Sequence, residues 1–142
     1  FEVSYEFGAA VAMRLIHSPN MYDVLVPANL FGDILTDEAS VISGSMGLMP
    51  SASIGLETSL YEPIHGSYPQ AAGKNIANPL ACIISVSMML NYLKLEKGAK
   101  MIQKAVEKSL IHKITTADLN NDYPYKTSEV GDFISKYIDD NN

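Results

Sequence analysis

Two carboxylates, Asp33 and Asp37, stand four residues apart in the sequence. This spacing puts two side chains on one face of a helix, with their Cβ atoms about 5–6 Å apart. Carboxylate oxygens are the ligands that hard cations prefer, so the pair could share Mg²⁺ or Mn²⁺ and leave positions open for water or substrate. Acids at the start of a helix also complement its macrodipole. Taken alone, the pair leaves a metal site and a purely structural role open.

A second candidate site lies in residues 65–74, where two glycines and a lysine come shortly before a segment of helical character. A helix N-terminus attracts phosphate because its free N–H groups point towards the ligand. The Walker pattern is nevertheless absent, because Tyr68 occupies its first glycine position and Asn75 follows Lys74. The loop is therefore either a nucleotide-binding segment or a structural turn.

The elements that must position the two acids alternate between helix and strand. Apolar residues recur at helical spacing over residues 7–17, and the short β-branched run 22–26 predicts a buried strand. A second amphipathic helix is expected over residues 32–42, which places both acids near its start. This order of helix, strand, loop and helix predicts an α/β protein.

The rest of the chain changes character at Gly44. Glycine, proline and serine are frequent from there to Lys74, which predicts loops and short strands. Pro79 then opens an apolar core helix that reaches about Leu93. Two further helices are expected, over residues 96–112 and 127–138.

Composition excludes several classes of protein. The chain has 142 residues, 47% of them hydrophobic, and a net charge of −6, which repels nucleic acids and anionic membranes. The single cysteine, Cys82, cannot form a disulfide within the chain, and a reducing cytoplasm fits this. No apolar run reaches the roughly 18 residues of a membrane span, and residues 1–8 lack the features of a signal peptide. We expect a cytoplasmic protein without nucleic-acid or membrane partners.

Several strings taken together resemble the isocitrate/isopropylmalate dehydrogenase family. Residues 29–40, Asn-Leu-Phe-Gly-Asp-Ile-Leu-Thr-Asp-Glu-Ala-Ser, are similar to the metal-binding signature of decarboxylating dehydrogenases that act on isopropylmalate, isocitrate and tartrate. Residues 44–53 are closer to the isopropylmalate branch, since isocitrate enzymes typically carry a Gly-Ala-Asn-like triplet where this chain has Ser-Ala-Ser. Residues 61–67 and 72–79 resemble the adenosine-binding loop of the family, and residues 127–132 resemble the start of its C-terminal helix.

The resemblance implies an α/β fold in which this chain is the C-terminal part of a longer, two-domain subunit with a mixed sheet flanked by helices. Residues 1–43 would end the middle domain, which binds metal and dimerises, and residues 44–142 would form the C-terminal half of the cofactor-binding domain. The helices at residues 7–17 and 32–42 would form a homodimer through a four-helix bundle.

The activity that the resemblance implies is oxidative decarboxylation of a 2-hydroxy acid, 3-isopropylmalate in leucine biosynthesis, with NAD and a divalent metal. Hydride transfer would precede loss of CO₂. The catalytic lysine and tyrosine are expected upstream, so this chain would hold no catalytic residue and would be inactive alone. The alternatives are a relative acting on isocitrate or tartrate and a non-catalytic binding or assembly protein.

By the same resemblance, Asp33 and Asp37 would hold Mg²⁺ or Mn²⁺. The backbone of residues 66–70 would lie along NAD, residues 65, 76 and 78 would surround the adenine, and Glu62 would lie near the nicotinamide ribose. The implied cofactor-binding residues are Glu62, His65, Gly66, Ser67, Tyr68, Pro69, Gln70, Ala71, Ala72, Gly73, Lys74, Asn75, Ile76, Ala77 and Asn78.

The chain departs from the family pattern at two positions. Ala9 stands where the family has an aspartate that serves as a metal ligand in the partner subunit's site. Gln70 stands where an aspartate commonly contacts the adenosine ribose. No Arg or Lys occurs at residues 68–72 to favour a 2′-phosphate, so NAD is expected over NADP.

Overall fold

The computed structural model describes residues 1–141 and contains helices and one small sheet within them. Its main elements are α1 (Gly8–His17), α2 (Asn29–Ser43), β1 (Pro50–Ile54), β2 (Ser59–Pro63), α3 (Leu80–Tyr92), α4 (Glu96–Ile111) and α5 (Thr127–Asn141). The chain divides into two compact units, the first covering Phe1–Gly44 and the second beginning at Ser45. The functional division into a middle and a cofactor-binding domain stays a prediction.

In the first unit α1 packs against α2. Val11 and Leu15 of α1 and Leu35 of α2 form its small core, because helical spacing brings their side chains to the facing sides of the two helices. Helix α2 ends at Gly44, whose φ of 90° is the left-handed conformation that glycine adopts without steric cost. The segment before α1 is held by Glu6, which forms a 2.6 Å ion pair with Arg14.

The strand predicted over residues 22–26 is wrong for this structure, where these residues have no regular secondary structure. The β-branched side chains suit a strand, yet a strand needs a neighbour to accept and donate its backbone hydrogen bonds. In the first unit the elements before and after this segment are helical, and Val24 and Val26 are 79% and 92% exposed. The local preference is present, but the described residues provide no partner strand.

The second unit consists of a β-hairpin and three helices. β1 and β2 pair antiparallel, with Pro50 opposite Pro63 and Ile54 opposite Ser59. The hairpin packs on α3, which also contacts α4, and α4 in turn contacts α5. The core lies between these helices, where Leu80 and Val130 are fully buried beside Val106 and Ile134.

The α/β class and the predicted helices are confirmed, with differences at their ends. Helix α2 begins at Asn29, three residues before the expected Gly32, and follows an extended Ala28. Pro79 is the N-cap of α3 and not its first residue. The sheet of the described residues is two-stranded and antiparallel. The mixed sheet that the resemblance implies concerns the longer, two-domain subunit.

No helix among residues 1–141 is both long enough and apolar enough to cross a membrane.

Candidate functional site

A cavity of about 610 Å³ lies in the second unit. Its wall comes from the turn before β1, the loop between β2 and α3, and the loop between α4 and α5. The lining residues are Met46, Gly47, His65, Gly66, Ser67, Tyr68, Ala71, Ala72, Ile76, Ala77, Asn78, Ala117 and Asp118. A volume of this size is typical of small-molecule and cofactor sites.

The loop between β2 and α3 contains three residues with a positive φ, which are Tyr68, Gly73 and Asn75. Tyr68 has a φ of 44°, which is rare for a bulky residue, and it is followed by the single turn Pro69–Ala71. Gly73 has a φ of 73° and leads the chain towards α3. Backbone strain of this kind is concentrated at functional sites, where the surrounding structure holds it in place.

Asp118 fixes the wall of the cavity from the opposite side. One carboxylate oxygen accepts hydrogen bonds from the Ser45 hydroxyl and, at 2.9 Å, from the Asn78 amide, and the other accepts one at 2.5 Å from Thr116. Partial burial raises the pKa of this carboxyl, but the three hydrogen bonds outweigh it and hold the pKa below its usual value. Asp118 is therefore ionised at neutral pH.

Asn78 joins three parts of the wall. Its Oδ1 accepts a 2.9 Å hydrogen bond from the backbone N–H of Leu80 and so satisfies the first turn of α3. Its side chain lies against Gly47 so closely that a Cβ there would come within 2.7 Å of it. A side chain at position 47 would therefore displace Asn78 from Asp118.

The charge and polarity of the lining residues suit an uncharged heterocyclic ring with an attached sugar. Asp118 is the acid among the described residues that line the cavity, and none of these lining residues is Lys or Arg. A carboxylate accepts hydrogen bonds from amino or hydroxyl groups and repels phosphate. Side chains such as Ile76 and Ala72 supply apolar contact area.

The structure brings part of the predicted cofactor set to the cavity. Residues 65–68, 71, 72 and 76–78 line it. The other predicted positions, which are Glu62, Pro69, Gln70, Gly73, Lys74 and Asn75, lie elsewhere on the same segment. Glu62 is in β2 opposite Ser51, and the Asn75 side chain bonds to Ser128. The cofactor role of the whole set stays a prediction.

Sequence reasoning missed Asp118 and Ala117. Neither belongs to a recognisable motif, and the bonds of Asp118 to Ser45 and Asn78 span 73 and 40 residues of sequence. The available signal was the Thr115-Thr116-Ala117-Asp118 string, where short polar residues end in an acid between two helices.

The predicted metal ligands lie on the first unit. Asp33 and Asp37 are both exposed on α2, one turn apart, and the Asn29 amide donates a 3.3 Å hydrogen bond to Asp33. No group of three or more His, Cys, Asp or Glu residues that could hold a metal occurs in the described part of the chain. Ala9, on α1, is exposed and offers no ligand atom. Two carboxylates suit a hard cation but leave its other positions to water, substrate or another chain.

The sequence pattern of the isocitrate/isopropylmalate dehydrogenase family matches residues 7–134. This match covers the α1–α2 pair, the hairpin, the cavity loop and most of α5. The chain belongs to this family.

The individual relatives are named for different substrates. A 3-isopropylmalate dehydrogenase of Bacteroides fragilis is 52% identical over 136 residues, which are 94% of this chain and 38% of that protein. A homoisocitrate dehydrogenase of Methanocaldococcus jannaschii is 49% identical over 129 residues, 91% of this chain and 37% of that protein. Among solved structures, an isocitrate dehydrogenase from Methylococcus capsulatus superposes with a TM-score of 0.88 at 38% identity, covering 92% of this chain and 39% of that one. The chain thus spans well under half the length of these relatives.

Proposed function

We propose that this chain supplies the dinucleotide-binding cavity and two metal-binding carboxylates of an NAD-dependent dehydrogenase that oxidatively decarboxylates 3-isopropylmalate in leucine biosynthesis. The observation that carries the proposal is the cavity of about 610 Å³ walled by residues 65–68 and 76–78. These are the positions at which the family resemblance puts the adenosine half of the cofactor. The 52% identity to a 3-isopropylmalate dehydrogenase supports the substrate.

In the proposed complex the cavity binds the adenosine part of NAD. Ile76 and Ala72 pack against the adenine, while Asn78 and the ionised Asp118 offer acceptors to its amino group or to ribose hydroxyls. The absence of Lys and Arg from the described lining residues leaves a 2′-phosphate without a counter-charge, which favours NAD over NADP.

Asp33 and Asp37 are proposed to hold Mg²⁺ or Mn²⁺. Their spacing on α2 lets both carboxylates face one ion, and their exposure leaves room for substrate oxygens beside it. When bound, NAD would accept the hydride, and the metal would stabilise negative charge on the substrate oxygen while CO₂ leaves. The role of this chain is to bind and orient these groups.

We further propose a cytoplasmic homodimer formed through α1 and α2. The two helices leave large apolar side chains in solvent, with Met13 at 66%, Ile34 at 56% and Val41 at 70% exposure. Large apolar side chains exposed on two packed helices support an interface between subunits.

A second candidate substrate is homoisocitrate, because a homoisocitrate dehydrogenase is 49% identical over most of this chain. The two substrates share the 2-hydroxy acid and the carboxylate that leaves as CO₂, and they differ in the side chain. In our proposal the cavity of the described residues binds the cofactor and does not contact the substrate side chain. Both substrates therefore remain candidates.

The test is steady-state NADH formation by the full-length protein with Mg²⁺ and each of 3-isopropylmalate, homoisocitrate and isocitrate. The proposal expects the highest kcat/KM with 3-isopropylmalate. A higher value with homoisocitrate would replace the substrate but keep the reaction, while no turnover with any of the three would favour the non-catalytic alternative.

A further inference from the structure

Asn75, in the loop that lines the cavity, makes three hydrogen bonds to the start of α5. The Asn75 Oδ1 accepts a 3.0 Å hydrogen bond from the Ser128 backbone N–H, and its Nδ2 donates a 2.9 Å bond to the Ser128 hydroxyl. The Asn75 backbone carbonyl accepts a further 3.0 Å bond from the Thr127 N–H. One residue thus satisfies two of the N–H groups that the beginning of a helix leaves without intrahelical partners.

This arrangement requires an unusual backbone at Asn75. Its φ is 57°, in the left-handed region that asparagine tolerates better than most residues other than glycine. The conformation turns the side chain and the carbonyl of the same residue towards α5. Asn75 is absent from the residues that line the cavity, although it directly precedes three that do.

A further hydrogen bond joins the loop to α5 on the other side of Ile76. The Thr127 hydroxyl donates a 2.6 Å hydrogen bond to the Ala77 carbonyl. Both carbonyls that flank Ile76 are therefore held by α5, and the segment ends at Asn78, which Asp118 holds from the opposite side. The cavity wall formed by residues 76–78 is fixed at both ends.

The resemblance implies that Asn75 binds the cofactor, but Asn75 is not among the residues that line the cavity. We propose that Asn75 is instead a positioning residue for NAD binding, which holds residues 76–78 against α5 and does not touch the cofactor. This inference rests on the proposed function, because the cavity must bind the dinucleotide. α5 itself is anchored in the core through Val130 and Ile134. The hydrogen bonds to α5 therefore hold residues 76–78 in place before NAD binds. Less conformational entropy is then lost when the cofactor binds.

The test compares Asn75→Gly with Asn75→Asp in the full-length protein. Glycine adopts the positive φ without strain and removes only the side-chain bonds, whereas aspartate keeps two acceptors for the Ser128 N–H and hydroxyl. Asn121→Gly is the matched control, because Asn121 is exposed and has no side-chain hydrogen bond in the described structure. Ser128→Ala removes one of the bonds while Asn75 stays in place.

We expect Asn75→Gly to raise the calorimetric Kd for NAD by about fivefold, which corresponds to the net free energy of about one hydrogen bond. The kcat at saturating NAD should be nearly unchanged. Ser128→Ala should raise it about twofold, and Asn75→Asp and Asn121→Gly should match the wild type. Amide hydrogen exchange without nucleotide should be faster at residues 76–78 in Asn75→Gly, faster to a smaller extent in Ser128→Ala, and unchanged in Asn75→Asp and Asn121→Gly.

An unchanged Kd in folded Asn75→Gly and Ser128→Ala would overturn the positioning role, as would an equal loss in Asn75→Asp. If Asn75→Gly does not fold, the Ser128→Ala titration decides alone. Failure of the wild-type protein to bind NAD is a separate outcome, which overturns the proposed function together with the inference that rests on it.

Discussion

Asp118 is the charged residue around which the cavity wall is organised, and its lowered pKa makes the stability of the fold depend on pH. Because its folded pKa lies below the unfolded value of about 3.9, its ionised form stabilises the fold above that pH, and this stability is lost as pH falls through the lowered folded pKa. The three donors, Ser45, Thr116 and Asn78, lose their ionic acceptor when it is protonated.

We expect Asp118→Asn to lower the free energy of unfolding at neutral pH by about 1 kcal/mol, a modest value because the residue is partly solvated. The difference from wild type should shrink below pH 4 or so, where the wild-type carboxyl also loses its charge. Urea unfolding of both proteins from neutral to acid pH measures this. A difference that stays constant over that range would show that the charge of Asp118 does not stabilise the fold.

Ala9 is the position where the chain departs from the metal-binding pattern of the family. A methyl group coordinates nothing, so Asp33 and Asp37 would hold the ion with one negative charge fewer, and water would fill the vacancy. We expect Ala9→Asp in the full-length protein to tighten the activating Mg²⁺ constant by at least about tenfold, or roughly 1.4 kcal/mol.

The measurement for Ala9→Asp is rate against Mg²⁺ concentration at saturating substrate and NAD. Because the ligand would reach the site of the partner subunit, the gain should appear only under dimeric conditions. An unchanged constant would mean that residue 9 does not reach the metal, and the shared-site proposal would be withdrawn.

Sequence reasoning could predict residues whose neighbours in the chain carry a pattern. The Asp33–Asp37 spacing and the string from His65 to Asn78 were recognisable because their residues are close in sequence. Asp118 was not, because its partners lie 40 and 73 residues away and only the fold brings them together. The same holds for the pairing of Asn75 with Ser128.

At the scale of elements, amphipathic periodicity predicts four of the main helices, while the apolar run after Pro79 predicts α3. Apolar spacing in α1, α2, α4 and α5 reflects a face that packs on a neighbour, so the pattern and the structure agree. The strand expected at residues 22–26 failed because a strand depends on a partner that periodicity does not reveal. Antiparallel pairing of β1 with β2 follows from their short connection at residues 55–58.

The loop between β2 and α3 determines cofactor choice in our proposal. Residues 68–72 carry no Lys or Arg, and the described lining of the cavity contains Asp118 instead. A 2′-phosphate would meet this charge without compensation. We expect kcat/KM with NAD to exceed that with NADP by at least about tenfold, measured by steady-state kinetics of the full-length protein. Equal or better efficiency with NADP would overturn the assignment.

At the scale of the whole molecule, the two units carry different chemistry. The first unit presents the acidic pair of α2, and the second contains the cavity that we assign to NAD. Within this chain, the residues of each candidate site come from one unit. Since this chain spans 38% of the length of a 52% identical relative, the account depends on how these two sites behave in the full-length protein.

The most direct test of the account is a calorimetric titration of NAD into full-length wild type, Asp33→Asn and Asp37→Asn, with turnover measured on the same samples. Glu38→Gln is the control, because it makes the same charge change on the same helix outside the pair. The account predicts that both Asp variants lose metal-dependent turnover while their Kd for NAD stays within about twofold of wild type, and that Glu38→Gln keeps both. A Kd for NAD that rises together with the loss of turnover would contradict it, because the acidic pair would then be supporting the fold and not holding a metal.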